Sequence, residues 1–390
     1  MYSFISPQNI YHGEHSIKNL ETITKSLSAK KVFVLTDPIL KELEVINPIL
    51  SILEENEVEF YLSTNVVPEP SVEVGNRVVE EVRSQKPDLV IGIGGGSALD
   101  LAKASAVLAA NAGRVEDYLN LTGERQLKEK GIPTVLVPTT AGTGAEVTDI
   151  SVFSLADSKD VITHEFLLAD YAIVDPVLTY TLPPKVTAAS GVDALTHAIE
   201  AFTSVNATPL TDTLALEAMH RIVGNLRSAV WNKKAYEARK EMSLGSLMAG
   251  LSFYNAGVAG VHGLAYPLGG LFKIPHGESN AVLLPYVYHY IWPSCLDKMY
   301  GLGEVFSISY EGKDKRQVVL EVVQALYELV EDVGLPTSLS VYNITREDVE
   351  RLTQNGLKQT RLLARSPMPF GEAEIRNVYR HAWNGWGNRW

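Results

Sequence analysis

DLVIGIGGGSALDLAKASAVLAAN, residues 88–111, decides the fold. It opens as an apolar run of strand length, passes through three successive glycines, and continues as an Ala/Leu-rich stretch of helical composition. A run that is apolar on both alternations predicts a strand buried on both faces, as in a parallel sheet. Working outward, the same alternation recurs. KVFVLTD (31–37) and VEFYLST (58–64) read as strands, with helices over 38–54 and 71–85, and GIPTVLVPTT (131–140) and YAIVDP (171–176) read as later strands. The expectation is a Rossmann-like, doubly wound dinucleotide-binding α/β domain.

The pattern changes at Leu182-Pro183-Pro184. Beyond it helices are predicted over 185–204, 209–231, 234–254, 281–308, 315–333, 346–358 and 372–384. Two domains follow: an α/β domain over 1–182 and an all-helical, metal-binding domain over 183–390. Gly257–Pro285 reads as an apolar, glycine-rich run in which Pro267 and Pro275 interrupt any continuous helix. The tail NGWGNRW (384–390) reads as a loosely anchored end.

Composition narrows the partners. The chain is 46% hydrophobic and 21% charged, with net charge −12 and no basic run. That balance excludes nucleic acid or an anionic membrane surface as the main partner. A single cysteine, Cys295, rules out an intramolecular disulfide and a thiolate metal cluster, and suits a reducing cytoplasm. No signal peptide is read, and no apolar run approaches the roughly 18–20 residues of a membrane span. The expected location is cytoplasmic.

Gly94, Gly95 and Gly96 lie where the strand hands over to the helix. Absent side chains let a backbone approach a ligand, and a helix N-terminus favours phosphate. The loop is not a Walker loop, since no Gly-Lys-Ser/Thr follows, and Ser97 stands where the dinucleotide fingerprint has its last glycine. Asp100 and Lys103 fall in the first turns of the helix, facing either ligand or water. Asp37, ending the first strand, is placed to meet an adenosine ribose and to repel a 2′-phosphate, which favours NAD over NADP. Thr139, Thr140 and Thr143, after the next strand, suit a nucleotide's base and sugars. The simpler reading of each loop is an ordinary turn.

Asp193 and His197 are four apart, on one face of any helix that holds them. His262 and His276 lie in the glycine-rich run. Either histidine alone reads as a hydrogen-bonded core residue. Together the four make a divalent metal site without thiolate, suited to Fe²⁺, Zn²⁺, Mn²⁺ or Co²⁺ rather than Mg²⁺ or Ca²⁺. An open position would let the cation polarise a carbonyl or stabilise an alkoxide. With a nucleotide fold, that suggests hydride transfer between a nicotinamide and an alcohol/carbonyl pair.

GGGSALDLAK, PTTAGTGAEVT, AIVDP, GVDALTHAIEA, NAGVAGVHGLAYPLGG, IPHGESNAVLLP and IRNVYRHAW occur in that order. With them the chain resembles the iron-containing (group III) alcohol dehydrogenases over essentially its whole length. The resemblance implies a dehydroquinate synthase-like fold, NAD(H) as cofactor, a homodimer, and a small alcohol or aldehyde as substrate. It implies Fe²⁺, with Zn²⁺ as the substitute, on Asp193, His197, His262 and His276. It places the pyrophosphate at Gly94, Gly95, Gly96 and Ser97, adenine and ribose at Thr139, Thr140 and Thr143, and Lys159 near the nicotinamide ribose. The family aspartate associated with NAD preference matches Asp37. Many members carry a further histidine where this chain has Tyr266. A phenol is a poor proton shuttle at neutral pH but can hydrogen-bond a substrate oxygen. Tyr266 is similar to the hydroxyacid–oxoacid transhydrogenase branch. Tyr286 replaces another common family histidine, and Arg365-Ser366-Pro367-Met368-Pro369 replaces a late Asn-Pro-Arg motif. The leading expectation is a metal-dependent, NAD(H)-linked alcohol dehydrogenase or aldehyde reductase. The alternatives are a transhydrogenase with tightly held NAD, a non-redox lyase like dehydroquinate synthase, and a non-catalytic nucleotide-binding sensor.

Overall fold

The computed structural model describes residues 2–156 and 158–387. It separates into two compact units, Ser6–Thr181 and the chain from Leu182 onward. The segment ending at Ile5 belongs with the second unit, where the Ile5 backbone and the Asn255 side-chain amide exchange hydrogen bonds of 2.7 and 2.9 Å.

The first unit runs β1 (Asn9–His12), α1 (Asn19–Ser26), β2 (Lys31–Leu35), α2 (Pro38–Glu42), α3 (Asn47–Glu55), β3 (Glu59–Ser63), α4 (Val72–Gln85), β4 (Leu89–Gly94), α5 (Gly96–Ala110), β5 (Thr134–Pro138), β6 (Ile150–Ser154), β7 (Lys159–Thr163) and β8 (Tyr171–Val174). Six of these strands form a parallel sheet in the order β1-β8-β5-β4-β2-β3. The two-residue period of a strand divides the core. Phe33, Leu35, Val90 and Leu136 pack with Val78, Val82 and Leu99 of α4 and α5, while Val32, Val34, Ile91 and Val135 pack with Leu20, Ile49 and Leu53 of α1 and α3. Each such side chain contributes about 1.5–3 kcal/mol when fully buried. The parallel α/β architecture expected from the sequence is therefore present, with helices on both faces.

The second unit contains α6 (Pro184–Thr203), α7 (Pro209–Trp231), α8 (Tyr236–Ala256), α9 (Gly260–Phe272), α10 (His276–Ile291), α11 (Leu296–Gly301), α12 (Lys315–Asp332), α13 (Asp348–Gly356), α14 (Thr360–Leu363) and α15 (Glu372–Asn384). Among the described residues it holds no strand, as its sequence pattern predicted. The start signals are local: Pro184 and Pro209 in first turns, Thr208 accepting from Thr211 N–H, and a reciprocal Asp314/Gln317 capping box.

Four expectations need correcting. The helix expected over 38–54 is two helices, because Glu44 takes a left-handed φ of 58° and Pro48 restarts the chain in the first turn of α3. Gly257–Pro285 is interrupted before α10, with Pro275 as its N-cap, but not at Pro267. α9 carries that proline inside it, and burial of Val261, Leu264 and Leu268 offsets the lost backbone hydrogen bond. α10 begins at His276 rather than 281 and stops at Ile291, before Pro293. The tail is anchored at least to Trp386, which stacks on Tyr327 at 5.0 Å and donates its indole N–H to Gln324 at 2.6 Å. The last three tail residues, 388–390, lie outside the described residues. No single helix among the described residues is long and apolar enough to cross a membrane.

Candidate metal and cofactor sites

Beyond Lys185 in its first turn, the ionisable side chains of α6 are those of Asp193, His197 and Glu200, spaced i, i+4, i+7 in a stripe along one face. Asp193 and His197 on this stripe meet His262 from the first turn of α9 and His276 from the first residue of α10. One ligand atom from each lies within 4.8 Å of all the others. His262 Nε2 is 3.0 Å from His197 Nε2 and 3.8 Å from Asp193 Oδ1, and His276 Nε2 is 3.6 Å from the same oxygen. Donor atoms bound to one cation at about 2.1 Å sit about 3–3.5 Å apart, so the spacing suits a single ion. Asp193, His197 and His262 are buried, and His276 is partly open. Burial alone would raise the Asp193 carboxyl, but His197, His276, His262 and the Asn280 amide hold it below its ordinary value.

Two residues that the sequence reading passed over complete the cluster. Glu200 Oε2 accepts from His262 Nδ1 at 2.6 Å. Asn280 Nδ2 donates to Asp193 Oδ1 at 2.7 Å and lies 3.1 Å from His262 Nε2. Glu200 was legible as the third member of the polar stripe, and Asn280 as the residue four beyond His276.

An apolar wall adjoins the donors. Phe253 stacks on His197 with centroids 4.2 Å apart. It packs with Ala201, Ala256, Val258 and Leu362, against which Tyr266 lies partly buried. The Tyr266 ring is 6.1 Å from that of His276. Tyr286 goes elsewhere: it is buried, donates to Thr337 O at 2.6 Å, and desolvation pushes its phenol well up.

In the first unit the glycine and threonine loops meet. Thr139 N–H donates to Gly94 O at 3.0 Å. Gly94 has φ +149°, and a Cβ there would come within 2.8 Å of Ala98 Cβ. A Cβ on Gly96 would sit 3.0 Å from Thr143, and one on Gly95 would sit 3.7 Å from Thr140. Side chains here would fill the cradle at the N-terminus of α5, where no side chain caps the helix. Backbone N–H groups are thus left for a phosphate, so the residues fit a dinucleotide. Asp37 caps α2 through Leu40 N–H at 3.0 Å, and its other oxygen lies beside Gly94.

Ser97 accepts from Glu69 N–H at 3.1 Å, and Glu69 pairs with the nearly buried Lys159 at 3.0 Å. Lys159 is thereby held near the glycine loop. Asp100 is turned inward: one oxygen is 3.0 Å from Lys103 Nζ and the other accepts from Val152 N–H at 3.0 Å. Lys103 also donates to Ala145 O at 2.9 Å and to Ile150 O. This pair ties α5 to the start of the 145–147 turn and to the strand that follows it.

The iron-containing alcohol dehydrogenase model matches residues 7–176, and the C-terminal model of the Fe-containing alcohol dehydrogenase family matches residues 187–383. The chain belongs to the iron-containing alcohol dehydrogenase family. Members similar to it include long-chain-alcohol dehydrogenase 1 of Geobacillus thermodenitrificans, 50% identical over 98% of this chain and 96% of that protein. A solved 1,3-propanediol oxidoreductase is 32% identical, with a TM-score of 0.93 over 98% of this chain and 100% of that one. The sulfoacetaldehyde reductase of Bifidobacterium kashiwanohense, solved in complex with NAD+, is 26% identical with a TM-score of 0.84, covering 98% of each chain. This iron-containing alcohol dehydrogenase is therefore an NAD-linked, metal-dependent oxidoreductase that interconverts alcohols and aldehydes.

Proposed function

We propose that the enzyme acts on primary aliphatic alcohols and their aldehydes, with Asp193, His197, His262 and His276 as metal ligands. The observation that carries this reading is the convergence of those four donor atoms beside an apolar wall. When bound, the metal supplies a Lewis acid for the substrate oxygen, and the nicotinamide supplies the hydride acceptor or donor. The chain's own residues do the rest. Phe253, Val258 and Leu362 exclude water and accept an alkyl chain, and Tyr266 hydrogen-bonds the substrate oxygen. Gly94, Gly95, Gly96 and Ser97 hold the pyrophosphate, and Thr139, Thr140 and Thr143 hold adenine and ribose. Asp37 faces the adenosine ribose, and Lys159 the nicotinamide ribose. Asp100 supports this cradle through Lys103 rather than touching cofactor. The name of the 50%-identical relative supports an alkyl substrate. We also read the protein as a cytoplasmic homodimer without nucleic-acid or membrane partners, from the family likeness and the net charge of −12.

The test is NADH oxidation with C2–C12 aldehydes on metal-analysed protein, before and after chelation. Turnover that rises with chain length and is lost with the metal supports the reading. Unchanged turnover in verified metal-free protein would end it. A second reading is favoured by Arg365, half-buried over Gly257, beside Tyr266, and with no carboxylate in ion-pair range among the described residues. It would take substrates bearing an anionic group, including a hydroxyacid–oxoacid pair. Turnover of such a pair without added NAD, in preference to alkanals, would select it.

A further inference from the structure

Glu200 is 1% exposed, one turn beyond His197 on α6. A carboxylate there is costly unless its oxygens are filled. They are filled by N–H donors from the start of α9. Oε1 accepts from Val261 N–H at 2.5 Å, and Oε2 accepts from Ala259 N–H at 3.1 Å and from His262 Nδ1 at 2.6 Å. Two of these donors are backbone groups at the N-terminus of a 13-residue helix, where an acidic group is favoured.

The third donor fixes chemistry. A carboxylate only accepts, so the proton of the His262 ring belongs on Nδ1. The lone pair is then on Nε2, the nitrogen 3.0 Å from His197 Nε2 and 3.8 Å from Asp193 Oδ1. Asn280 agrees: its Nδ2, which donates to Asp193 Oδ1, lies 3.1 Å from the same Nε2, as a donor to a lone pair would. We infer that Glu200 is a positioning residue of the metal centre: by capping α9 and accepting from His262 Nδ1 it presents Nε2 to the cation in its ligating form. The inference rests on the four-ligand reading above. Carboxylates behind metal-bound histidines act this way in general, and their loss costs about 10–100-fold in metal affinity.

The experiment measures Zn²⁺ affinity of the metal-free protein by calorimetry, in wild type, Glu200→Gln, His262→Ala and the double variant. The expected result is a roughly 10–100-fold weakening in Glu200→Gln and little further loss when that change is added to His262→Ala. Equal losses in the two backgrounds would make Glu200 a general support of the fold and overturn the inference. Unchanged affinity in Glu200→Gln would overturn it too. Absence of Zn²⁺ binding by the wild type would overturn the four-ligand reading instead. Should Glu200→Gln not fold, ¹⁵N-histidine labelling of metal-free wild type decides: a proton on His262 Nδ1 upholds the inference, and one on Nε2 overturns it.

Discussion

Lys103 and Asp100 form an ion pair of 3.0 Å inside α5, with the lysine wholly buried. Its ammonium also ties down the turn that follows the threonine loop. Breaking such a pair strands a charge, at a cost of about 3–5 kcal/mol. Lys103→Met should therefore lower stability by that amount in urea and weaken NAD+ binding at the same time. Asp100→Asn added to Lys103→Met should recover part of the loss. If Lys103→Met alone changes stability by less than about 1 kcal/mol, a buried charge pair is not what holds this turn.

Glu146 lies in the same turn, and burial pushes its carboxyl up to about 7. An unfolded glutamate titrates near about 4.3. The unfolded chain thus releases this proton first, and stability from Glu146 declines as pH rises from about 4.3 toward 7. Glu146→Gln should leave stability nearly unchanged at pH 4 and raise it at pH 8, by up to about 3 kcal/mol. Denaturant midpoints of the two proteins at both pH values check the difference.

His289 behaves in the opposite sense. Desolvation and the neighbouring His381 push its imidazole down to about 4, against about 6.5 in an unfolded chain. Between those values the unfolded state takes up the proton and the folded state resists, so acid weakens the fold from about pH 6.5 downward. Replacing His289 with Gln should flatten the Tm-versus-pH curve in that window. A wild-type slope retained in His289→Gln would assign the acid limb to other groups.

Trp386 touches Tyr327, Tyr286 and His289 while donating to Gln324. Trp386→Ala should destabilise the protein by about 2 kcal/mol, less than a fully buried tryptophan because the site is partly open. A Tm within 1 °C of wild type would show the tail to be dispensable.

Gly257 ends α8 at φ +84°, where an added Cβ would meet Arg365 Cδ at 2.5 Å. Gly257→Ala should thus strain the backbone and displace Arg365 together. The sharper readout is specificity: the ratio of kcat/KM for anionic to neutral aldehydes should move more than kcat/KM for ethanal.

Sequence pattern carried the central strands, because β2, β4 and β5 are buried on both faces and read as continuous apolar runs. It marked out Asp193, His197, His262 and His276, whose donor atoms converge, because three imidazoles and a carboxylate stand out in apolar surroundings. Edge strand β1 gives no contrast in the sequence, since none of its four residues, Asn9–His12, is buried. The β6/β7 hairpin is held by its pairing and by Lys103 reaching Ile150 O, contacts that local composition does not announce. α9 gives no local signal, because proline and glycine lower helix propensity and only tertiary burial overrides it. Glu200 shows in the sequence only as a third polar position on the α6 face, because the groups that fill its oxygens, on Ala259, Val261 and His262, lie 59, 61 and 62 residues away.

The four proposed metal donors all lie beyond Leu182, and the glycine and threonine loops proposed for the cofactor all lie before it. On that reading each ligand has its own address along the chain. A ligand protects only the structure that must be folded to bind it. Zn²⁺ alone should slow amide exchange in α6, α9 and α10, and NAD+ alone should slow it around β4, α5 and β5. Exchange rates could then report occupancy of each ligand separately in a mixed population, from two sets of peptides and without any turnover measurement.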